Sequence, residues 1–371
     1  MPSPSHARKP FPRHALSRRA LLGVALCTGT ALPPHTDRAV HTLPAAAAAR
    51  QDGRLTIRVL LGRTTAAPAG GILGTAVWNG RRYRGTIDFV PDGGGVAVVN
   101  RVDLEEYLRG VLPGELGSRD PRDRAALQAQ AVAARSYAAA RMAERRALYD
   151  VTATVSDQVY GGLSAEKPET DEAVRATRGL VLTWSDQVIS APYHSQGGPI
   201  TAAAEEVFWK QRSGTPYLRP VDDRVPGGGC FCDVGGGREW ERRFSLDDIS
   251  ELLARHGRSA GVSGGGMVHA VRVTARGPSG RVTELVIETA AGRAVLHGND
   301  IRFVLRSGGA ILPSTNFSIE QAGPQVVLRG VGNGHGVGMS QWGAIGRSRA
   351  GQDARAILAA YYPGTRLAPL L

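Results

Sequence analysis

The sequence predicts an α+β fold, rich in β-strands and split into two subdomains, with one long alanine-rich helix behind a loop that carries an isolated acid. Three observations lead there. Its 371 residues exceed the usual size of one domain and, at 42% hydrophobic content, can bury a sizeable core. Strand-like alternation recurs on both sides of a single long helical stretch. A second set of alternating segments follows between about 240 and 320, far enough along the chain to build a subdomain of its own.

The elements follow in order. Leu55, Ile57, Val59 and Leu61 alternate with other residues, the period of a half-buried strand. With a hairpin turn at Asn79-Gly80 and a loop at Asp92 to Gly95, residues 50–101 read as a small β unit. Asp103 before Leu104, with Glu106 three residues on, resembles a capping box and opens a short helix. Val111 to Gly117 then reads as a breaker-rich loop holding Glu115 among apolar neighbours. Asp120 before Pro121 starts the alanine-rich helix, which continues to about Arg146 with Leu127, Ala131, Ala134 and Ala138 as a stripe of small residues. Val151 to Val155, Gly179 to Thr183 and Gln187 to Ile189 read as strands, and residues 246–256 as a helix. Val268 to Thr274 and Arg281 to Glu288 flank Gly277-Pro278-Ser279-Gly280 as a hairpin. The resulting division is 1–49, 50–101, 102–240, 241–320 and 321–371.

Charge and composition narrow the function classes. The net charge is +12; beyond residue 49, 39 cationic side chains face 32 acidic ones, a net of +7 that suits anionic polymers in general. No basic run interleaved with aromatics tracks a phosphate backbone, so nucleic acid is not an expected partner. Residues 1–49 have the layout of an export signal: Arg8, Lys9 and Arg13, then Ser17-Arg18-Arg19-Ala20-Leu21-Leu22, an apolar segment to about Leu32, and small residues at Ala45 to Ala49. Its adjacent arginines resemble a twin-arginine signal, which implies export to the periplasm or cell wall. An uncleaved segment would instead be an N-terminal membrane anchor. The bulky Leu26 before Cys27 argues against lipidation. Only Cys230 and Cys232 lie beyond it, too few for a disulfide framework.

Long motifs follow one another in order. Val102 to Val111 contains Asp103-Leu104-Glu105-Glu106-Tyr107-Leu108-Arg109-Gly110; Glu115 comes next, then Ala126 to Tyr137 with Gln130, Arg135 and Tyr137. Further along stand Asp157-Gln158-Val159-Tyr160-Gly161-Gly162, Tyr193-His194-Ser195 with Gly197-Gly198 and Thr201, Leu312 to Phe317, Gly332 to Ala344, and Tyr361-Tyr362-Pro363-Gly364-Thr365. Together they resemble the SpoIID/LytB domain family across roughly residues 54–367. The resemblance implies a SpoIID-like fold and a peptidoglycan lytic transglycosylase cleaving MurNAc-GlcNAc strands, or an associated modifier of wall amidases. Glu115 matches the family's catalytic glutamate. Among Val111, Leu112, Pro113 and Leu116 its carboxyl group would lose hydration, which favours the neutral acid needed to protonate a leaving group. Its carboxylate would then take a proton from the sugar's own 6-hydroxyl as a 1,6-anhydro ring closes, so one carboxyl group serves twice.

The same resemblance assigns Arg135 a catalytic position, where a guanidinium would orient Glu115 or hold a substrate acetamido or carboxylate group; a structural ion pair is the alternative. It implies substrate-side positions for Gln130, Tyr137, Tyr160, His194, Ser195, His335, Gln341 and Trp342. His335 and Gln341 can hydrogen-bond sugar groups and Trp342 can pack on a pyranose face, against the alternative of a buried structural loop. Two departures stand out. The spacing from Glu115 to Arg135 is about two residues longer than the family's, and Gln196-Gly197-Gly198-Pro199 replaces the usual continuation after His-Ser. The chemistry requires no cofactor. Cys230, Cys232 and His194 are candidate ligands of a structural zinc ion, with pairing of the cysteines or free thiols as the alternatives. Beside the transglycosylase stand a noncatalytic module that stimulates an amidase, and a hydrolytic muramidase using Asp222 or Asp223 as second carboxylate.

Overall fold

The computed structural model describes residues 50–51, 54–65, 76–117, 119–210, 215–237, 239–262 and 266–370; the proposed export signal lies outside them. The fold is α+β, with small sheets gathered around a central helix. Strand Arg54–Thr64 pairs antiparallel with Gly95–Asp103, which pairs with Thr86–Asp92. The alternation seen in the sequence places Ile57 and Val59 in the core with no exposed surface. Asn79 and Gly80, both at positive φ, close the expected hairpin between Ala76–Trp78 and Arg81–Tyr83.

Helix α1, Leu104–Glu115, starts where Asp103 accepts hydrogen bonds from the Glu105 and Glu106 N–H groups. It runs further than expected. Pro113 and Gly114 lie inside the helix rather than in a loop, because Val111, Leu112 and Leu116 must share one buried face. Glu115 therefore ends a helix, which corrects its placement in a catalytic loop. Helix α2, Arg124–Ala143, is the long alanine-rich helix, stopping three residues short of the expected end. It is buried well beyond its predicted stripe, from Ala129 to Ser136 without a break. Small side chains there allow α1, α3 (Pro168–Ala176), α7 (Gln341–Arg349) and α8 (Ala354–Tyr361) to close around it. Between α3 and α7 come α4 (Ala204–Val207), α5 (Leu246–His256) and α6 (Asp300–Val304).

A second hydrophobic cluster gathers Phe244, Ile249, Leu285, Ile287, Val304, Phe317 and Leu328. Strand Glu239–Ser245 pairs antiparallel with Gln325–Val331, beside this cluster. Tyr193–His194 pairs parallel with Met339–Ser340, and Gln196 and Ala202 bridge to Asn333 and Val337. Two motifs separated by about 140 residues thus become one layer beside the end of α1.

Candidate active site

Two hydrogen bonds hold Glu115: the Val159 N–H donates to its Oε1 at 2.9 Å and the Gln341 side-chain amide donates to its Oε2 at 3.2 Å, while the nearby Tyr193 hydroxyl also favours the charged form. Burial pushes its pKa above the usual glutamate range, while all three donors pull the other way. Desolvation wins, and the carboxyl group is biased toward the protonated acid.

The local sequence explains the geometry. Gly110 and Gly114 lie four residues apart on one face of α1. A Cβ at Gly110 would stand 2.5 Å from the Tyr160 ring, and one at Gly114 would stand 2.9 Å from a Val159 methyl carbon. The two glycines make a groove for the segment Val159 to Gly161, fixed further by the Gly161 N–H donating to the Gly110 carbonyl. Gln341 is the first residue of α7, whose start is set by Ser340 capping the Gly343 N–H.

Arg135 does not join Glu115. Its guanidinium, fully buried, makes two parallel 2.8 Å bonds to the Glu105 carboxylate and donates to the Leu180 carbonyl at 3.0 Å. The expectation of a catalytic arginine is corrected to a structural ion pair between α1 and α2, because the α2 face that carries Arg135 turns toward the start of α1 and not its end. Tyr160 is likewise core: 3% exposed, it donates to Asn100 and packs 4.9 Å from the Tyr107 ring centroid. Tyr137 donates to Asp157 at 2.7 Å and accepts from Arg141. Gln130 is fully buried, with neither amide atom bonded to another protein group.

His335 accepts from the Val337 N–H and donates to the Tyr193 carbonyl, so both ring nitrogens are committed to the fold. Burial, helped by Arg302, lowers its pKa to about 3, and the ring is neutral. That replaces its expected sugar-binding role. His194 lies 5.5 Å from it, bonded through Nδ1 to the Val337 carbonyl, with Nε2 facing Gly197; burial pushes its pKa well down. Ser195 is partly exposed, and its carbonyl accepts from the Trp342 N–H. Trp342 is partly exposed as well, packed on Gly235 and stacked 4.7 Å under the Arg119 guanidinium. Of these, Gln341 is the one whose side chain bonds to Glu115, and Trp342 and Ser195 are joined to each other next to it.

The cysteines pair with each other in a Cys230–Cys232 disulfide. Among the described residues the groups that converge there are the two sulfurs and Asp233; His194 is not one of them. The residues do not fit the zinc site expected from Cys230, Cys232 and His194, since a disulfide offers no thiolate. Asp223, a candidate second carboxylate, is fully buried between Arg347 and the Tyr361 hydroxyl, while exposed Asp222 pairs with Arg224. Two other clefts, of about 410 and 720 Å³, are lined by residues including Asp171 and Arg178 and by residues including Trp240 and Arg276; neither reaches Glu115.

Sequence reasoning missed Tyr193 and Gln158 as site residues. Both stood inside recognised motifs, but only three-dimensional placement distinguishes them from their neighbours.

Comparison with known proteins finds relatives over most of the chain. The family model described as stage II sporulation protein matches residues 92–184, and a domain of unknown function matches 238–338. A stage II sporulation protein D of Bacillus amyloliquefaciens is 30% identical over 286 residues, covering 72% of this chain and 74% of the relative. An uncharacterised protein of Brachyspira hyodysenteriae is 31% identical over 293 residues, covering 77% and 72%. An amidase enhancer of Bacillus subtilis is 28% identical over 334 residues, covering 78% of this chain but 44% of the relative. With shared sequence extending well past the matched domain, the chain belongs to the SpoIID family.

Proposed function

We propose that this protein is a peptidoglycan lytic transglycosylase with Glu115 as its single acid and base. The observation that carries the reading is a partly accessible carboxyl group, raised in pKa by burial yet bonded to the Val159 N–H and the Gln341 amide. As the acid it would protonate the glycosidic oxygen, and the C1–O bond would break to leave an oxocarbenium-like centre. The carboxylate would then remove the proton of the same sugar's 6-hydroxyl as O6 bonds to C1, which returns the proton to Glu115. These donors suit the second half of that cycle, because they stabilise the carboxylate just formed.

Hydrolysis fits less well. A muramidase needs a second carboxylate beside a water, and both Asp222 and Asp223 are committed to arginines. Incubating purified glycan strands with the enzyme should yield 1,6-anhydromuramic ends by mass spectrometry, and Glu115→Gln should abolish them while the protein stays folded. Reducing ends would support a muramidase, and unaltered strands would overturn the enzyme assignment. Activity should fall as pH rises through the Glu115 pKa, since only the protonated form starts the reaction; a rate that climbs there would oppose the mechanism.

A wall amidase is a second partner class, supported by the likeness to an amidase enhancer. The same preparation added to an amidase digest should accelerate peptide release, and no acceleration would remove that partner. Export rests on residues 1–49. Replacing Arg18 and Arg19 by Lys should leave precursor in the cytoplasm if the twin-arginine route is used.

A further inference from the structure

Gln158 has no exposed surface, and its side chain is fully engaged. Its Oε1 accepts from the Tyr107 hydroxyl at 3.0 Å. Its Nε2 donates to the Tyr193 hydroxyl oxygen at 2.9 Å and to the Ala134 carbonyl at 3.2 Å. The three partners sit on α1, on α2 and on the strand Tyr193–His194, so one amide ties together the elements that frame Glu115. The next residue, Val159, gives its N–H to the Glu115 carboxylate.

We infer that Gln158 and Tyr193 are positioning residues for Glu115: the buried amide fixes the peptide that aims the Val159 N–H at the carboxylate, and it sets the direction of the Tyr193 hydroxyl. The second part follows from counting hydrogens. A phenol has one hydrogen, and because its oxygen already accepts from Gln158, that hydrogen is left for another acceptor. The carboxylate of Glu115 lies beside it. Burial, together with the nearby Glu115 charge, keeps the Tyr193 pKa well above its ordinary value, so the phenol stays a donor through the working pH range. The amide is held in turn by Tyr107, whose hydroxyl has no other acceptor among the hydrogen bonds described for it. In a dry setting such a chain prevents the acceptor end of the amide from rotating toward Tyr193, which would reverse the phenol and withdraw a donor from Glu115.

The inference rests on the acid and base reading of Glu115 only for its effect on catalysis; its effect on the carboxyl group can be measured without activity. Full-length protein labelled with ¹³C at glutamate side chains, with the Glu115 signal assigned through Glu115→Gln, should give a Glu115 titration midpoint that moves upward in Tyr193→Phe and in Gln158→Met. Tyr193→Phe takes a donor away from the ionised form, and Gln158→Met releases the Val159 peptide and the Tyr193 hydroxyl from the hold that aims them at it. Tyr107→Phe, which leaves Tyr193 in place and only frees the amide, should move it upward by less. The falling alkaline limb of the pH–rate profile should move in the same direction, with kcat lowered more than KM is raised. A purely structural role would reduce the folded fraction without displacing either midpoint. If Gln158→Met does not fold, the isosteric Tyr193→Phe and Tyr107→Phe variants still decide the matter. An unmoved or lowered Glu115 midpoint in both would overturn the inference. An upward shift, with Glu115→Gln still making anhydro ends, would instead retain the positioning role and sink the transglycosylase reading.

Discussion

Burial of Glu115 favours the acid needed to begin the reaction and works against the charged form at neutral pH. Its pKa in the folded protein lies above that of the unfolded chain, so between the two values the folded state holds more protons. Stability therefore declines as pH rises through that window and stays lower above it. Glu115→Gln, which keeps the shape and cannot ionise, should raise the midpoint of thermal unfolding at neutral pH and lose this advantage in acid; a variant less stable than wild type at neutral pH would contradict the desolvated setting. Arg135 shows the opposite economy. Its charge is matched by Glu105 through two parallel bonds, so removing Arg135 leaves a largely buried carboxylate without its counter-charge, still bonded to the Gly179 N–H. Arg135→Met should cost about 3–5 kcal/mol, the range for breaking a buried pair from one side. Denaturant unfolding at neutral pH checks it, and a loss below about 1 kcal/mol would show that Glu105 regains water on its own.

At the scale of elements, the groove on α1 shows both what the sequence reveals and what it conceals. Gly114 is exposed and stands in a helix, where alanine in place of glycine ordinarily adds up to about 1 kcal/mol of stability. Yet a Cβ there would lie 3.0 Å from the Val159 carbonyl oxygen, and the segment that supplies the N–H to Glu115 would have to move. Gly114→Ala should therefore keep or raise stability while lowering kcat by about tenfold, the equivalent of about 1.4 kcal/mol of lost transition-state stabilisation. Unchanged kcat would mean that Val159 does not set the carboxyl group. The Pro113-Gly114 pair is also why Glu115 reads as a loop residue in the sequence: local propensity points to a break, and tertiary burial of Val111, Leu112 and Leu116 overrides it. Caps, alternating strands and the alanine-rich helix are legible because each depends on neighbours within a few residues. The partner of Arg135, the pairing of Cys230 with Cys232, and the commitment of His335 to two backbone groups depend on how distant segments meet. Residue type and spacing leave those outcomes open.

Across the whole molecule, the two hydrophobic clusters are joined by a polar latch. The turn Gly277 to Arg281 belongs to the second unit and reaches into the loops that follow His194. Arg281, 1% exposed, donates to the carbonyls of Gly197 and Ile200 at 2.6 and 2.8 Å, and Gly336 lies against its guanidinium with no room for a Cβ. Beside it, the Ser279 hydroxyl and N–H both bond to Glu206. Burial lowers the Arg281 pKa to about 10, still far enough above neutrality for the guanidinium to remain charged. That desolvation opposes folding, so the hydrogen bonds have to exceed it for the latch to hold. Arg281→Ala removes the donor from two carbonyls buried behind it, and leaving such groups unsatisfied costs about 1–3 kcal/mol. Arg281→Lys should not restore the loss, since an ammonium on a flexible stem lacks the planar fork that spans the two carbonyls. Urea unfolding followed by tryptophan fluorescence provides the check: Trp240 packs against the second cluster and Trp184 against the first. With the latch cut, the second unit should unfold at lower urea than the first and separate one transition into two. A single transition at the wild-type midpoint would mean that the bonds of Arg281 do no more than offset the burial of its charge, and that the units are coupled elsewhere.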